Sequence, residues 1–193
     1  MLGSGRPFVV ELIHPRKRIS INDEDLKIVA ENVNKQGDDV EIRELFFSDK
    51  NCFEDLTKAA DTKVKAYAAI VQTELPITQE KIQVIDALRD VEVDQMTPLR
   101  VLHRRTLMSR DKVIFRCVLK PLNDYTAVCY MLSSAGTYIK EFVHGDLNRT
   151  KPNLGLLLGC RCDIVQLDVI ELYEELNEET YTNFYSLVDS FKL

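Results

Sequence analysis

Two runs, Lys112–Leu119 and Tyr125–Ser133, constrain the fold more than any other part of the chain. Both read as strands, with successive side chains sent to opposite faces, and Pro121-Leu122-Asn123-Asp124 between them carries turn chemistry. Together they predict an antiparallel hairpin. Pro7–Ile13, Val40–Phe47, Lys63–Thr73 and Asp163–Tyr173 read as further strands, and Val91 and Val93 begin an extended segment that Pro98 interrupts.

Helical spacing appears between these runs. Leu26, Val29, Ala30 and Val33 repeat after a Ser20–Asp23 start and stop at Gly37. Pro76 and Thr78 introduce a helix through Leu88, with Ile82, Ile85 and Leu88 on one face, and a short helix or turn is expected over Pro152–Gly159. Tyr181, Phe184, Tyr185, Val188 and Phe191 mark an amphipathic helix over Glu178–Phe191. A polar connector with helical potential spans Asn51–Asp61. Strands and helices mix without strict alternation, so the expected class is α+β with a mixed, largely antiparallel sheet and flanking helices. At 193 residues and 45% hydrophobic content, a single domain over 1–193 is expected, with an acidic, amphipathic terminal helix over 174–193.

The hairpin runs into Ser133-Ser134-Ala135-Gly136-Thr137-Tyr138-Ile139-Lys140-Glu141, a small-residue turn opening a helix to His144, with Thr137 as the expected N-cap. Lys140 is the one cation at an otherwise apolar strand-to-helix junction. Charge is unevenly placed along the chain. Asp163–Leu193 carries eight acids and one lysine, which leaves residues 1–162 at +1 within a net charge of −6. Thr97–Lys112 holds five Arg or Lys against one Asp, a block that permits nucleic-acid binding. Cys52, Cys117, Cys129, Cys160 and Cys162 form no disulfide framework, and Cys160-Arg161-Cys162 lacks zinc-knuckle spacing, so those two are expected on one strand face as core residues and no metal is expected. No apolar run reaches the roughly 18 residues of a membrane span. With no signal pattern at the amino terminus, an intracellular protein of nucleus or cytoplasm is expected.

Four blocks in fixed order resemble the Pus-ten branch of the tRNA pseudouridine synthases. They are Gly5-Arg6-Pro7-Phe8, Lys65-Ala66-Tyr67-Ala68-Ala69, Thr97-Pro98-Leu99-Arg100-Val101-Leu102-His103-Arg104-Arg105, and Ser133–Glu141 with its continuation His144-Gly145-Asp146 and Arg149-Thr150-Lys151-Pro152-Asn153. The resemblance implies a synthase-like catalytic domain that isomerises uridine in the tRNA T-arm without cofactor or metal. Detaching uracil from C1′ and rejoining it through C5 needs a nucleophilic carboxylate, a cation to keep it ionised in a dry site, and an aromatic face to receive the flipped base. By resemblance Tyr67 and Tyr138 contact the base, Leu157 lines the pocket floor, and Lys140 is the ion-pair partner of the nucleophile. Arg100, His103, Arg104, Arg105 and Arg110 are candidate phosphate contacts, with Arg149 and Lys151 in addition. His144 is read as structural.

The family's nucleophilic aspartate lies in a Gly-Arg-Glu-Asp-x-Asp-x-Arg run just before Gly-Arg-Pro-Phe, and that run is absent from these 193 residues. So is the family's amino-terminal domain with its paired-cysteine metal site. The chain is therefore expected to be the carboxy-terminal part of a catalytic domain, inactive alone. The alternative is a non-catalytic RNA-binding or protein-interaction module built on the same fold. Without its aspartate partner, Lys140 is expected to deprotonate, to turn to water, or to pair with Glu141 or Asp146.

Overall fold

The computed structural model describes residues 5–14, 16, 20–37, 39–49, 51–52, 54–56 and 63–191. Its organising element is a six-stranded antiparallel sheet. In chain order the strands are β1 (Val64–Thr73), β2 (Val91–Met96), β3 (Ser109–Asn123), β4 (Thr126–Ser134), β5 (Thr150–Lys151) and β6 (Cys162–Tyr173). In space they run β5-β2-β3-β4-β1-β6, every pair antiparallel. The helices are α1 (Asp23–Asn34), α2 (Gln79–Asp86), α3 (Ile139–His144), α4 (Leu154–Leu158) and α5 (Glu178–Ser190). The class is α+β, as the mixture of patterns implies.

β4 is buried at seven successive positions, because layers cover the sheet on both faces. Alternation sorts its side chains: Ala127, Cys129 and Met131 join Tyr67, Ala69 and Val71 of β1 on one face. Ile85 of α2, Ile139, Phe142 and Val143 of α3, and Leu154 and Leu158 of α4 complete that core. On the other face Val128, Tyr130 and Leu132 pack with Val64 and Ala66 and with Phe184 and Val188 of α5. Phe142 and Phe184 have no exposed surface, and burying a side chain of that size contributes roughly 1.5–3 kcal/mol.

Several expectations shift in detail. The β3–β4 hairpin forms, but its strands continue past Pro121 to Asn123, and the turn falls on Asp124 and Tyr125. Pro121, which has no N–H to give, sits where the register shifts. Tyr138 rather than Thr137 occupies the N-cap of α3, since the Thr137 hydroxyl is spent on the Ser134 carbonyl (2.8 Å). Cys162 begins β6 in the helix-side core, and Cys160 packs half-buried against the same core, but from just before the strand rather than on it.

By internal contacts the chain groups into two compact units, Arg6–Lys58 and a second made of Met1–Gly5 with Ala59–Leu193. The reason is the distribution of apolar burial: among the described residues, no hydrophobic side chain before Val64 is buried. In the first unit α1 forms as its spacing predicts, with Asn22 and Asp25 exchanging bonds in a capping box. Pro7–Ile13 and Val40–Phe47 form no strand, because a strand exists only with a ladder partner and these segments have none among the described residues. Phe8, Val10, Leu12, Phe46 and Phe47 are at least half exposed. Residues 51–52 and 54–56 are helical, while the remainder of the polar connector's expected helix lies outside the described residues.

Candidate RNA-facing site

The most constrained side chain near the strand-to-helix junction is one that spacing did not single out. Gln95 of β2 has no exposed surface, and its amide meets the backbone of Tyr138 from both directions. Its Nε2 donates to the Tyr138 carbonyl (3.0 Å) and its Oε1 accepts from the Tyr138 N–H (2.9 Å). A buried amide paired at both its nitrogen and its oxygen to one residue's backbone fixes that residue, so it sets where α3 begins. The Tyr138 hydroxyl in turn accepts from a guanidinium N–H of Arg105 (3.0 Å), and the Arg100 guanidinium carbon lies 5.9 Å from the ring centre.

Beneath Tyr138 lies a buried carboxylate. The Glu141 side chain is 1% exposed, and Arg100 donates to it through Nε (2.7 Å) and a second guanidinium nitrogen (3.3 Å). This is the two-pronged geometry in which an arginine pairs best with a carboxylate. Glu141 holds the Arg100 guanidinium above its ordinary pKa through that hydrogen bond, against the opposing effect of burial. Arg100 is therefore a structural cation with an outward edge. Its charge is largely matched by Glu141, which weakens its case as a phosphate contact.

Thr97, wholly buried, ties down the basic loop. Its hydroxyl donates to the Thr106 carbonyl (2.7 Å) and accepts from the Met108 N–H (3.2 Å). Arg110 donates to the same hydroxyl (3.4 Å) and is half-buried. Arg149, expected at the RNA backbone, turns inward: it donates to the Thr97 carbonyl (2.9 Å) and to the Asp146 carboxylate (3.3 Å), with its side chain 23% exposed. His103, Arg104, Arg105 and Lys151 are exposed.

Lys140 is exposed on α3. Of the three outcomes open to it, it takes water, because Glu141 and Asp146 are already paired with Arg100 and Arg149. Tyr67 is 8% exposed and belongs to the helix-side core with Ile139, Phe142 and Val143, and burial raises its phenol above the ordinary value. The arrangement brings Tyr138, Arg100 and Arg105 together but leaves Tyr67 in the core. Leu157 packs against that core and Leu158 is buried in it, while Leu156 is the leucine turned outward.

A cleft of about 770 Å³ opens elsewhere, between the end of β1 and the start of β6, lined by Gln72, Glu74, His144, Asn148, Leu156 and Arg161 among others. None of the residues expected at the site lines it. Among the described residues no group of three or more His, Cys, Asp or Glu is placed to hold a metal ion.

Comparison with known proteins assigns the family. The family described as "Pus10, C-terminal" matches residues 1–173. A mouse protein named tRNA pseudouridine synthase Pus10 is 40% identical over 168 residues, which cover 87% of this chain and 32% of the relative. A protein of the same name from Thermofilum pendens is 36% identical over 175 residues, covering 90% of this chain and 38% of the relative. Among solved structures, one of a Cbf5-Nop10-Gar1 complex has a TM-score of 0.48 at 21% identity, covering 70% of this chain and 40% of that one, a likeness too loose to carry an argument. The chain thus spans about a third of the length of the curated relatives it matches. With the family match extending over residues 1–173 of 193, the chain belongs to the Pus10 C-terminal family.

Proposed function

We propose that this chain supplies the base-receiving and RNA-gripping part of a tRNA pseudouridine synthase acting on T-arm uridines. The observation that carries the reading is Tyr138, an aromatic side chain locked by Gln95 at its backbone and by Arg105 at its hydroxyl, in a chain of this family. A ring held at its backbone and its hydroxyl meets a uracil swung out of its stack at a reduced ordering cost. Support also comes from His103, Arg104 and Arg105, exposed on a loop that Thr97 holds in shape, which suits them to successive phosphates. Tyr67 backs α3 from within the core and acts through packing. Lys140, free in solvent on the same helix, is available to a carboxylate brought beside it.

These 193 residues contain no Gly-Arg-Glu-Asp-x-Asp-x-Arg run, so the expected behaviour of this chain is binding without turnover. The test is pseudouridine formation on an unmodified tRNA transcript, read by carbodiimide primer extension, beside a binding titration at two salt concentrations. Salt-sensitive binding that weakens when Arg104 and Arg105 are both changed to Ala supports the reading. Absence of binding at low salt would overturn it, and turnover would overturn the requirement for the missing run.

A further inference from the structure

Two thiols, Cys160 and Cys162, line the cleft between the end of β1 and the start of β6. Cys160 is half-buried just ahead of the strand, and Cys162, its first residue, is 7% exposed. The segment that carries them is held from both sides. The Cys160 N–H donates to the Gly155 carbonyl (3.0 Å), and the Arg161 carbonyl accepts from the Glu74 N–H (2.9 Å). The Cys162 thiol donates to the Cys160 carbonyl (3.7 Å), so it leans back towards its neighbour. Lys81 of α2 reaches the other sulfur: its ammonium donates to Cys160 Sγ (3.9 Å) and to the Pro76 carbonyl (3.0 Å).

The two thiols are unequal. Burial first, and then the neighbouring Cys160, push the Cys162 thiol up to about 12, so at neutral pH it stays protonated. Cys160 is the more exposed sulfur, and a thiolate formed there has the Lys81 ammonium as its counterion. The charged side chains lining the cleft are of both signs, Glu74 and Asp163 against Arg161, with His144 also lining it. An uncharged oxidant is therefore the kind of reagent this cleft neither repels nor selects against. Residues two apart have Cα atoms no more than about 7 Å apart, the outer limit for a disulfide. A bond closed over so short a loop is of the strained, readily reduced kind. Cys117 and Cys129 supply the contrast: their sulfurs lie 3.3 Å apart, but at 1% and 0% exposure they have proximity without access.

We propose that Cys160 and Cys162 form a modification site, a dithiol that hydrogen peroxide oxidises to a reversible disulfide. The inference does not rest on the RNA-binding reading. In the first step the Cys160 thiolate, its proton already given to water, attacks one peroxide oxygen. The O–O bond breaks, the sulfur becomes a sulfenic acid, and the other oxygen leaves as hydroxide and takes up a proton as water. In the second step the Cys162 sulfur attacks the Cys160 sulfur. The S–S bond forms, the S–O bond breaks, and the Cys162 proton departs with the hydroxyl as a second water. Two thiols and one peroxide thus give one disulfide and two waters, and the new bond ties the chain that follows α4 to the start of β6.

The test treats the reduced 193-residue chain with hydrogen peroxide, alkylates it in denaturant and digests it with trypsin, which cuts after Arg161. A Cys160–Cys162 bond then shows by mass spectrometry as two peptides held together until dithiothreitol parts them. That linked pair is the expected first product, with Cys52, Cys117 and Cys129 still alkylated. Cys162→Ser should stop the reaction at a Cys160 sulfenic acid that dimedone captures. In Cys160→Ser, the Cys162 thiol should oxidise at least about tenfold more slowly than Cys160 does in the parent, because a buried thiol held near 12 is scarcely ionised at pH 7. Three results would overturn the proposal: no linked pair in the parent, a sulfenic acid at Cys160 that persists beside an intact Cys162, or oxidation that begins at Cys52 or between Cys117 and Cys129.

Discussion

Replacing Arg100 by Ala strips the partner from a carboxylate that is 1% exposed, and the consequence can be worked through. Glu141 would then face the core with neither of its two arginine hydrogen bonds. Breaking a buried pair from one side costs about 3–5 kcal/mol, because the remaining charge is left without compensation. Arg100 is itself 52% exposed, so water can follow it into the gap, and the lower end, about 3 kcal/mol at neutral pH, is the expected loss. For a domain of this size that corresponds to a fall in Tm of roughly 6–12 °C.

Adding Glu141→Gln to R100A should recover most of the loss, because an amide strands no charge when the arginine is gone. Urea unfolding followed by far-UV circular dichroism measures both variants. A deficit below about 0.5 kcal/mol for R100A would falsify the assignment of Glu141 as a buried ionised group.

Three further outcomes follow from neighbouring contacts. Gln95→Met keeps the volume but leaves the Tyr138 N–H without its partner, while the Tyr138 carbonyl still accepts from the Phe142 N–H (2.9 Å), so a loss of about 1–3 kcal/mol is expected in the same urea assay, and RNA affinity should fall with it. Gly145→Ala places a Cβ 2.7 Å from Asn153 Nδ2 at φ 79°, which should cost at least about 1 kcal/mol, whereas Gly37→Ala, with open space around it, should not. Tyr67, Tyr130, Tyr173 and Tyr181 all have phenols raised above their ordinary value, chiefly by burial, so alkaline absorbance titration should show them ionising above the ordinary phenol value of about 10. Each such phenol stays neutral in the folded chain while the unfolded chain ionises near pH 10, so stability should fall as pH rises through that range.

The sheet-forming runs were legible because a strand's period is two and β3 and β4 are neighbours in sequence, so one turn fixes their pairing. Pro7–Ile13 and Val40–Phe47 have strand-like composition too. Pairing is decided by a partner elsewhere, which local pattern does not contain. Lys140 and Glu141 illustrate the same limit on a helix. They are adjacent in sequence and both polar, and what sends Glu141 inward is Arg100, 41 residues away. The left-handed turn over Gly145–Asn148 left a trace that could have been read: Gly145, Asp146 and Asn148 are the residue types that accept positive φ, and they bracket Leu147.

The pairing of Glu141 and Asp146 bears on the proposed RNA-facing reading. A net charge of −6 speaks against polyanion binding only if charge is spread evenly. Arg100 and Arg149 each pair with one of these acids, so neither carboxylate stands without a counterion, and the unpaired positive charge of the basic loop is left to the exposed Arg104 and Arg105. Under that reading R100A should weaken RNA binding by more than one lost phosphate contact would, since it leaves the Glu141 charge without its counterion.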